Sequence, residues 1–147
     1  MKTVHKSVLI WFNPAEMYAL VTDVAAYPQF LPWCDHALVL ESSEAGMTTE
    51  IGISLGGIRQ SFSTRNTHVP NQQVTMHLIK GPFSRLDGVW HFSALGDGTQ
   101  RACKVELTLN YGFDNTALGG LVKPVFDKIA NGMVDAFVRR AGQVYGS

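Results

Sequence analysis

In several runs between Ile51 and Tyr111 apolar residues return at every second position, and beyond Thr116 they return three and four apart. The first pattern buries one face of a strand, and the second buries one stripe of a helix. A chain with both, in that order, is confined to a sheet laid against a long terminal helix. Cys103, Val105, Leu107, Leu109 and Tyr111 alternate with Lys104, Glu106, Thr108 and Asn110. Val74, Met76 and Leu78 form a second such run, Leu86, Gly88, Trp90 and Phe92 a third, and Ile51, Ile53 and Leu55 a fourth. The separators are turn-forming: Glu44-Ala45-Gly46, Gly56-Gly57, Pro70-Asn71, Gly81-Pro82 and Gly96-Asp97-Gly98. With Thr3–Trp11 and the stretch after Cys34 the reading gives about seven strands. Most connections are too short for helical crossovers, so the sheet is expected to be antiparallel.

Two helices flank the strands. Asn13-Pro14-Ala15-Glu16 carries a capping residue, a proline suited to the first helical position and an acid placed for a capping box. Met17, Leu20, Val21 and Val24 continue it at helical spacing. Near the C terminus Asp114, Asn115 or Thr116 can cap a helix in which Leu118, Val122, Val125, Phe126, Ile129, Met133, Phe137 and Ala141 share a stripe. Pro124 predicts a kink or restart there, because Lys123 is biased away from helical angles.

Between the short helix and the strands lies Tyr27-Pro28-Gln29-Phe30-Leu31-Pro32-Trp33-Cys34. Its two prolines exclude a regular helix or a central strand. Its aromatic content requires it to pack on a core or to close over a ligand. The expected architecture is α+β: a curved antiparallel sheet of about six to seven strands wrapped around the C-terminal helix, with a short helix after the first strand, as one domain over residues 1–147. The space gripped between sheet and helix is a natural apolar cavity.

The formal net charge is zero and charged residues make up 16% of the chain, which argues against DNA binding through a broad electrostatic footprint. No apolar run is long enough to span a bilayer and the N terminus lacks a signal-peptide layout, so a cytoplasmic protein is expected. The short Ile10-Trp11-Phe12 run is either core or an edge that touches the inner membrane transiently. The five histidines have no metal-binding spacing, no GxSxG elbow is present, and the glycines at 52, 56 and 57 do not precede a helix. No metal site, required cofactor or catalytic residue is expected. Two minor alternatives remain open. Cys34 could be a thiol nucleophile sharing a face with His36, and Arg65 with Glu50 could serve acid–base chemistry in a cyclase-like cavity.

The chain resembles the helix-grip START-like superfamily, and more closely its coenzyme Q-binding family. The marks are Met17-Tyr18-Ala19-Leu20-Val21 with Asp23-Val24; Tyr27-Pro28-Gln29-Phe30-Leu31-Pro32 with Cys34; Gly81-Pro82-Phe83 with Leu86, Gly88, Trp90 and Phe92; and Asn131-Gly132-Met133-Val134-Asp135-Ala136-Phe137 with Arg140-Ala141 and Val144-Tyr145. The resemblance covers nearly the whole chain. It implies a non-catalytic protein that holds a hydrophobic small molecule, such as ubiquinone, beneath the long helix. One branch of the family is instead linked to the large ribosomal subunit and to blocking subunit association.

On the residues themselves, Phe30, Leu31 and Trp33 are candidates for one lip of the cavity. Phe62, Trp90 and Phe92 are candidates from the sheet, and Val122, Phe126, Ile129 and Met133 from the helix. Arg65, His77, His91 and Tyr111 are candidate polar anchors by residue type. Lys123, Lys128, Arg139 and Arg140 are the candidate partner surface on the terminal helix.

Overall fold

The capping box forms as the sequence predicts. In the computed structural model, which describes residues 2–113 and 117–146, the Glu16 amide donates to Asn13 Oδ1 at 2.8 Å and the Asn13 amide donates to Glu16 Oε1 at 3.0 Å. This box starts α1 (Pro14–Thr22), which follows β1 (Lys2–Ile10). A short 3₁₀ segment, Val24–Gln29, then carries Pro28. The proline fits a 3₁₀ turn where it would break an α-helix.

Six further strands follow: β2 (Cys34–Ser43), β3 (Gly46–Leu55), β4 (Ile58–Val69), β5 (Gln73–Lys80), β6 (Phe83–Ala94) and β7 (Cys103–Phe113). They form one seven-stranded antiparallel sheet in the order β1-β7-β6-β5-β4-β3-β2. Sequence neighbours pair directly from β2 to β7, as short hairpin connections require. The first strand closes the far edge by pairing with the last.

The terminal helix α2 (Ala117–Tyr145) crosses the concave face. It is continuous through Pro124, so the expected restart does not occur. The ring of Pro124 crowds the carbonyl of the residue four positions earlier. That residue is Gly120, which, like Pro124, lies on the exposed side of the helix. The cap expected from Asp114, Asn115 or Thr116, and the side chain of Leu118, lie outside the described residues.

The core is continuous between α2, α1 and the sheet. Phe126, Ile129, Ala130, Val134, Phe137 and Ala141 of α2 are buried against Trp90, Phe92, Val105, Leu107, Leu109 and Tyr111. Phe137 sits at the centre of an aromatic cluster, with ring centroids 5.5 Å from Tyr27, 5.1 Å from Phe30 and 5.1 Å from Trp90. A second cluster joins Val24, Leu31, Cys34, Ala37, Met47, Ile51 and Ala136 beneath the proline-rich segment. That segment is therefore packed down: Leu31 is fully buried, and the Tyr27 hydroxyl donates to the Val21 carbonyl.

A cavity with one polar wall

Strand alternation and the apolar stripe of α2 leave a partly open space between sheet and helix. It has a volume of about 80 Å³ and is lined chiefly by Trp33, Ile51, Phe62, Met76, Trp90, Leu107, Leu109, Phe126, Ile129, Met133 and Phe137. Trp33, Phe62 and Met133 are half-buried and mark its mouth, while Trp90, Phe126 and Ile129 are buried deeper. Gly88 belongs to the wall because an added Cβ would come within 2.6 Å of Leu109 Cδ2 and 2.9 Å of Met76 Cε.

The structure divides the expected cavity residues. Trp33, Phe62, Trp90, Phe126, Ile129 and Met133 line it. Phe30 packs on Phe137 and lies under the Arg140 guanidinium, 5.0 Å from its ring centroid. Leu31 belongs to the second core cluster. Phe92 lies beyond Trp90 and meets the edge of Tyr18 at 6.0 Å. Val122 is fully buried in α2 and is absent from the lining.

None of the expected polar anchors lines the cavity. Arg65 alternates with the inward residues Thr64 and Asn66, so it lies on the outer face, where it donates to Thr48 Oγ1 at 3.2 Å. His77 and His91 are exposed on that face too. They are not neighbours: His77 pairs with Asp87 and His91 with Gln73, four positions apart along the strand, or roughly 13 Å. Tyr111 is buried but packs on Phe126, and its hydroxyl donates to Asp127 Oδ1 at 2.5 Å. Burial, and then that hydrogen bond to the carboxylate, push the Tyr111 hydroxyl well above the usual phenol range. Burial tends to raise Asp127, but the Tyr111 hydroxyl and Lys123 outweigh it and hold the carboxyl low.

The polar groups that do line the cavity are Thr49, Thr64 and Asn66. All three are buried. Thr64 Oγ1 donates to Asn66 Oδ1 at 2.8 Å and lies 3.1 Å from Thr49 Oγ1. Residue type does not single out these three, whereas strand phase does. Thr64 and Asn66 continue the phase of Phe62, and Thr49 continues that of Ile51.

The nucleophile alternative fails on geometry. Cys34 is buried, its thiol donates to the His36 carbonyl at 3.3 Å, and burial pushes it up to about 11. The His36 ring points elsewhere, with Nδ1 2.9 Å from Asp35 and Nε2 3.1 Å from Glu50. A register shift between Cys34 and His36 places Asp35 beside its neighbour's ring instead of on the opposite face. Gly52 makes room for the pair, since a Cβ there would lie 2.1 Å from Asp35 Oδ1. Glu50 and Arg65 both face outward and are absent from the cavity lining. The lining contains no carboxylate, histidine, lysine or arginine. Among the described residues no group of His, Cys, Asp or Glu could hold a metal ion, and no helix is long and apolar enough to cross a membrane.

The cationic candidates on α2 also separate. Lys123 bridges to Asp127 at 3.2 Å. Arg140 donates to Gln29 Oε1 at 3.0 Å and stacks on Phe30, so it pins the 3₁₀ segment to the helix. Lys128 and Arg139 are exposed and make no ion pair among the described residues. Eleven residues apart, they share one side of α2 about 16 Å from each other, with Asp135 between them. At the opposite edge of the sheet Trp11 is 79% exposed, and Phe12 is covered by the Arg101 guanidinium at 5.0 Å.

Comparison with known proteins agrees with this architecture. Residues 11–138 match the family model described as polyketide cyclase/dehydrase and lipid transport. The chain is 42% identical over 143 residues to the ribosome association toxin RatA of Pseudomonas aeruginosa, covering 97% of each. It is 28% identical over 142 residues to the coenzyme Q-binding protein COQ10 homolog B of Xenopus laevis, covering 96% of this chain and 58% of that protein. A START superfamily protein of Mycobacterium smegmatis superposes with a TM-score of 0.79 at 20% identity, over 97% of this chain and 98% of that one. The Zhui aromatase/cyclase of Streptomyces sp. R1128 superposes with a TM-score of 0.82 at 13% identity, over 95% and 93%. Both likenesses are of fold. Because the family model spans residues 11–138 and the match to RatA runs along 97% of both chains at 42% identity, the chain belongs to the polyketide cyclase/dehydrase and lipid transport family and is a relative of RatA.

Proposed function

We propose that this protein acts at the ribosome, binding the large subunit and blocking its association with the small one. The observation that carries the reading is the 42% identity to RatA spread along 97% of both chains. The coenzyme Q-binding relative is more distant, at 28%. The exposed cations Lys128 and Arg139 on the outer side of α2 are the candidate contact surface. Arg140 leaves that set, because it is engaged with Gln29 and Phe30.

Pelleting with isolated large subunits tests this. Retention should fall as salt rises, because contacts to ribosomal RNA phosphates release counterions. Lys128→Glu with Arg139→Glu should weaken it without loss of fold. Retention unmoved by salt and by both reversals would remove α2 as the contact surface, and no retention at all would remove the reading.

A second reading has its own support: the cavity holds a small apolar molecule. Its basis is a partly open space with apolar walls and a single polar stripe. At about 80 Å³ the space is smaller than the roughly 150 Å³ that admits one benzene in an engineered cavity, so a polyprenyl quinone enters only if the walls move. Met76 and Met133, unbranched and flexible, are the walls best able to do so. Saturable binding of a short-chain ubiquinone, followed through Trp33 and Trp90, would support it, and the absence of any saturable ligand would end it.

A further inference from the structure

The polar stripe in the cavity has a direction. Each threonine hydroxyl carries one hydrogen. Thr64 spends its hydrogen on Asn66 Oδ1, so Thr49 must donate to Thr64 Oγ1. The chain therefore runs from Thr49 through Thr64 to the Asn66 carbonyl oxygen. It fixes the Asn66 carboxamide with its oxygen turned back and its NH₂ group left over.

Asn66 is 6% exposed and lines the cavity. Its NH₂ group makes no hydrogen bond to a described residue, yet it is not a sealed orphan, so it opens on the cavity. His68, two residues further along the same face, packs edge-on against Tyr18 and does not line the cavity. Buried polar groups are nearly always paired, and an NH₂ group left over on a cavity wall is free to donate to an acceptor that enters the cavity. Every other wall near the stripe is apolar: Ile51, Phe62, Met76 and Trp90.

We infer that the cavity binds a compact, ring-sized apolar molecule bearing a hydrogen-bond acceptor such as a ketone, with the Asn66 carboxamide NH₂ as donor to that oxygen. This inference rests on the second reading above and is independent of ribosome binding. The ring would lie among Phe62, Trp90 and Met133 once Met76 and Met133 move to enlarge the space, with the oxygen at Asn66. Thr49 and Thr64 act as positioning residues that hold the amide in its orientation.

A matched pair of one-ring probes tests it: acetophenone, which carries the ketone, and ethylbenzene, which has nearly the same shape without the oxygen. Binding is measured by calorimetry and by amide-resolved NMR on the full chain. Acetophenone should shift the Asn66 side-chain NH₂ resonances, and ethylbenzene should not. Asn66→Leu should weaken acetophenone about tenfold, the usual worth of one buried hydrogen bond, and leave ethylbenzene unchanged or tighter. Thr64→Val, which frees the amide to rotate, should weaken acetophenone alone and serves if Asn66→Leu does not fold. Equal effects of either variant on both probes would overturn the inference. Binding of ethylbenzene without acetophenone would overturn it while leaving the cavity reading intact, and binding of neither would overturn both.

Discussion

Phe137→Ala measures how firmly the sheet grips α2. The ring is 1% exposed and touches three others, Tyr27 and Phe30 from the proline-rich segment and Trp90 from β6. Its removal takes away the transfer free energy of a benzyl group and leaves a void beside one that already exists. Core Phe→Ala substitutions cost about 3–5 kcal/mol. Three edge-on ring contacts, each worth about 0.5–1.5 kcal/mol, argue for the upper half of that range. The neighbouring cavity argues the other way, since a void joined to an opening wets and relaxes more easily than a sealed one. The balance is about 4 kcal/mol, a large share of the roughly 5–15 kcal/mol that stabilises a domain. Urea unfolding followed by far-UV circular dichroism gives the number, with Phe30→Ala as the control for the outer ring. Trp90 emission should shift to the red in the folded variant. A loss below about 1 kcal/mol with an unchanged denaturant slope would mean that α2 is peripheral, and the clamp argument would be wrong.

Tyr111→Phe should cost about 1–2 kcal/mol at neutral pH by removing a hydrogen bond to a charged group. Asp127 is held low in the folded state, so its contribution is present above the unfolded carboxyl value and is lost as pH falls through the folded one; the gap between wild type and variant should close on acidification, and a gap constant with pH would refute the pairing. Cys34 and Cys103 are both buried with thiols pushed up to about 11, so a disulfide-exchange reagent at mildly alkaline pH should label them only on unfolding, and rapid native labelling of either would refute that placement. Pro32→Ala should lower stability by less than about 1 kcal/mol, because Pro32 itself is exposed and only the chain's freedom changes, whereas Leu31→Ala should cost about 2–5 kcal/mol; calorimetric melting of the two variants should rank them in that order.

The parts of the fold legible in the sequence are those in which one physical signal is strong and local. Cys103–Tyr111 alternates so cleanly that its faces are set by hydropathy alone, and Asn13-Pro14-Ala15-Glu16 carries every residue its capping box uses. Strand β4 shows the opposite case. Gln60, Thr64, Asn66 and His68 share the inward phase with Phe62, while Arg59, Ser61, Ser63 and Arg65 share the other. Polar residues stand on both faces, so hydropathy does not mark which side meets the cavity. Register does, through pairs such as Glu50 with Ser63 and Ile51 with Phe62, and register is a property of the assembled sheet. Anchors chosen by residue type, Arg65 and His77, therefore fall on the outer surface. In α2 the helix runs on through Pro124 against the local rule, with the tertiary packing of its apolar stripe outweighing a single-residue preference.

The cavity's size bears on how the two functional readings relate. A helix-grip fold makes room beneath its long helix only to the extent that side chains leave it unfilled. Here Phe126, Phe137, Trp90 and Met133 project into that room and reduce it to about 80 Å³. Each buried methylene of a prenyl tail gains about 0.8 kcal/mol, but only where apolar walls open to receive it. Opening them breaks contacts such as that between Phe137 and Trp90, 5.1 Å apart, and those contacts hold α2 in place. Long-tail binding thus competes with the packing that stabilises the domain. Surface recognition asks for no such opening. Lys128 and Arg139 are presented by a helix whose other side is fixed by Phe126, Ile129 and Phe137, so a tightly filled grip favours a rigid docking surface at the expense of a lipid sleeve.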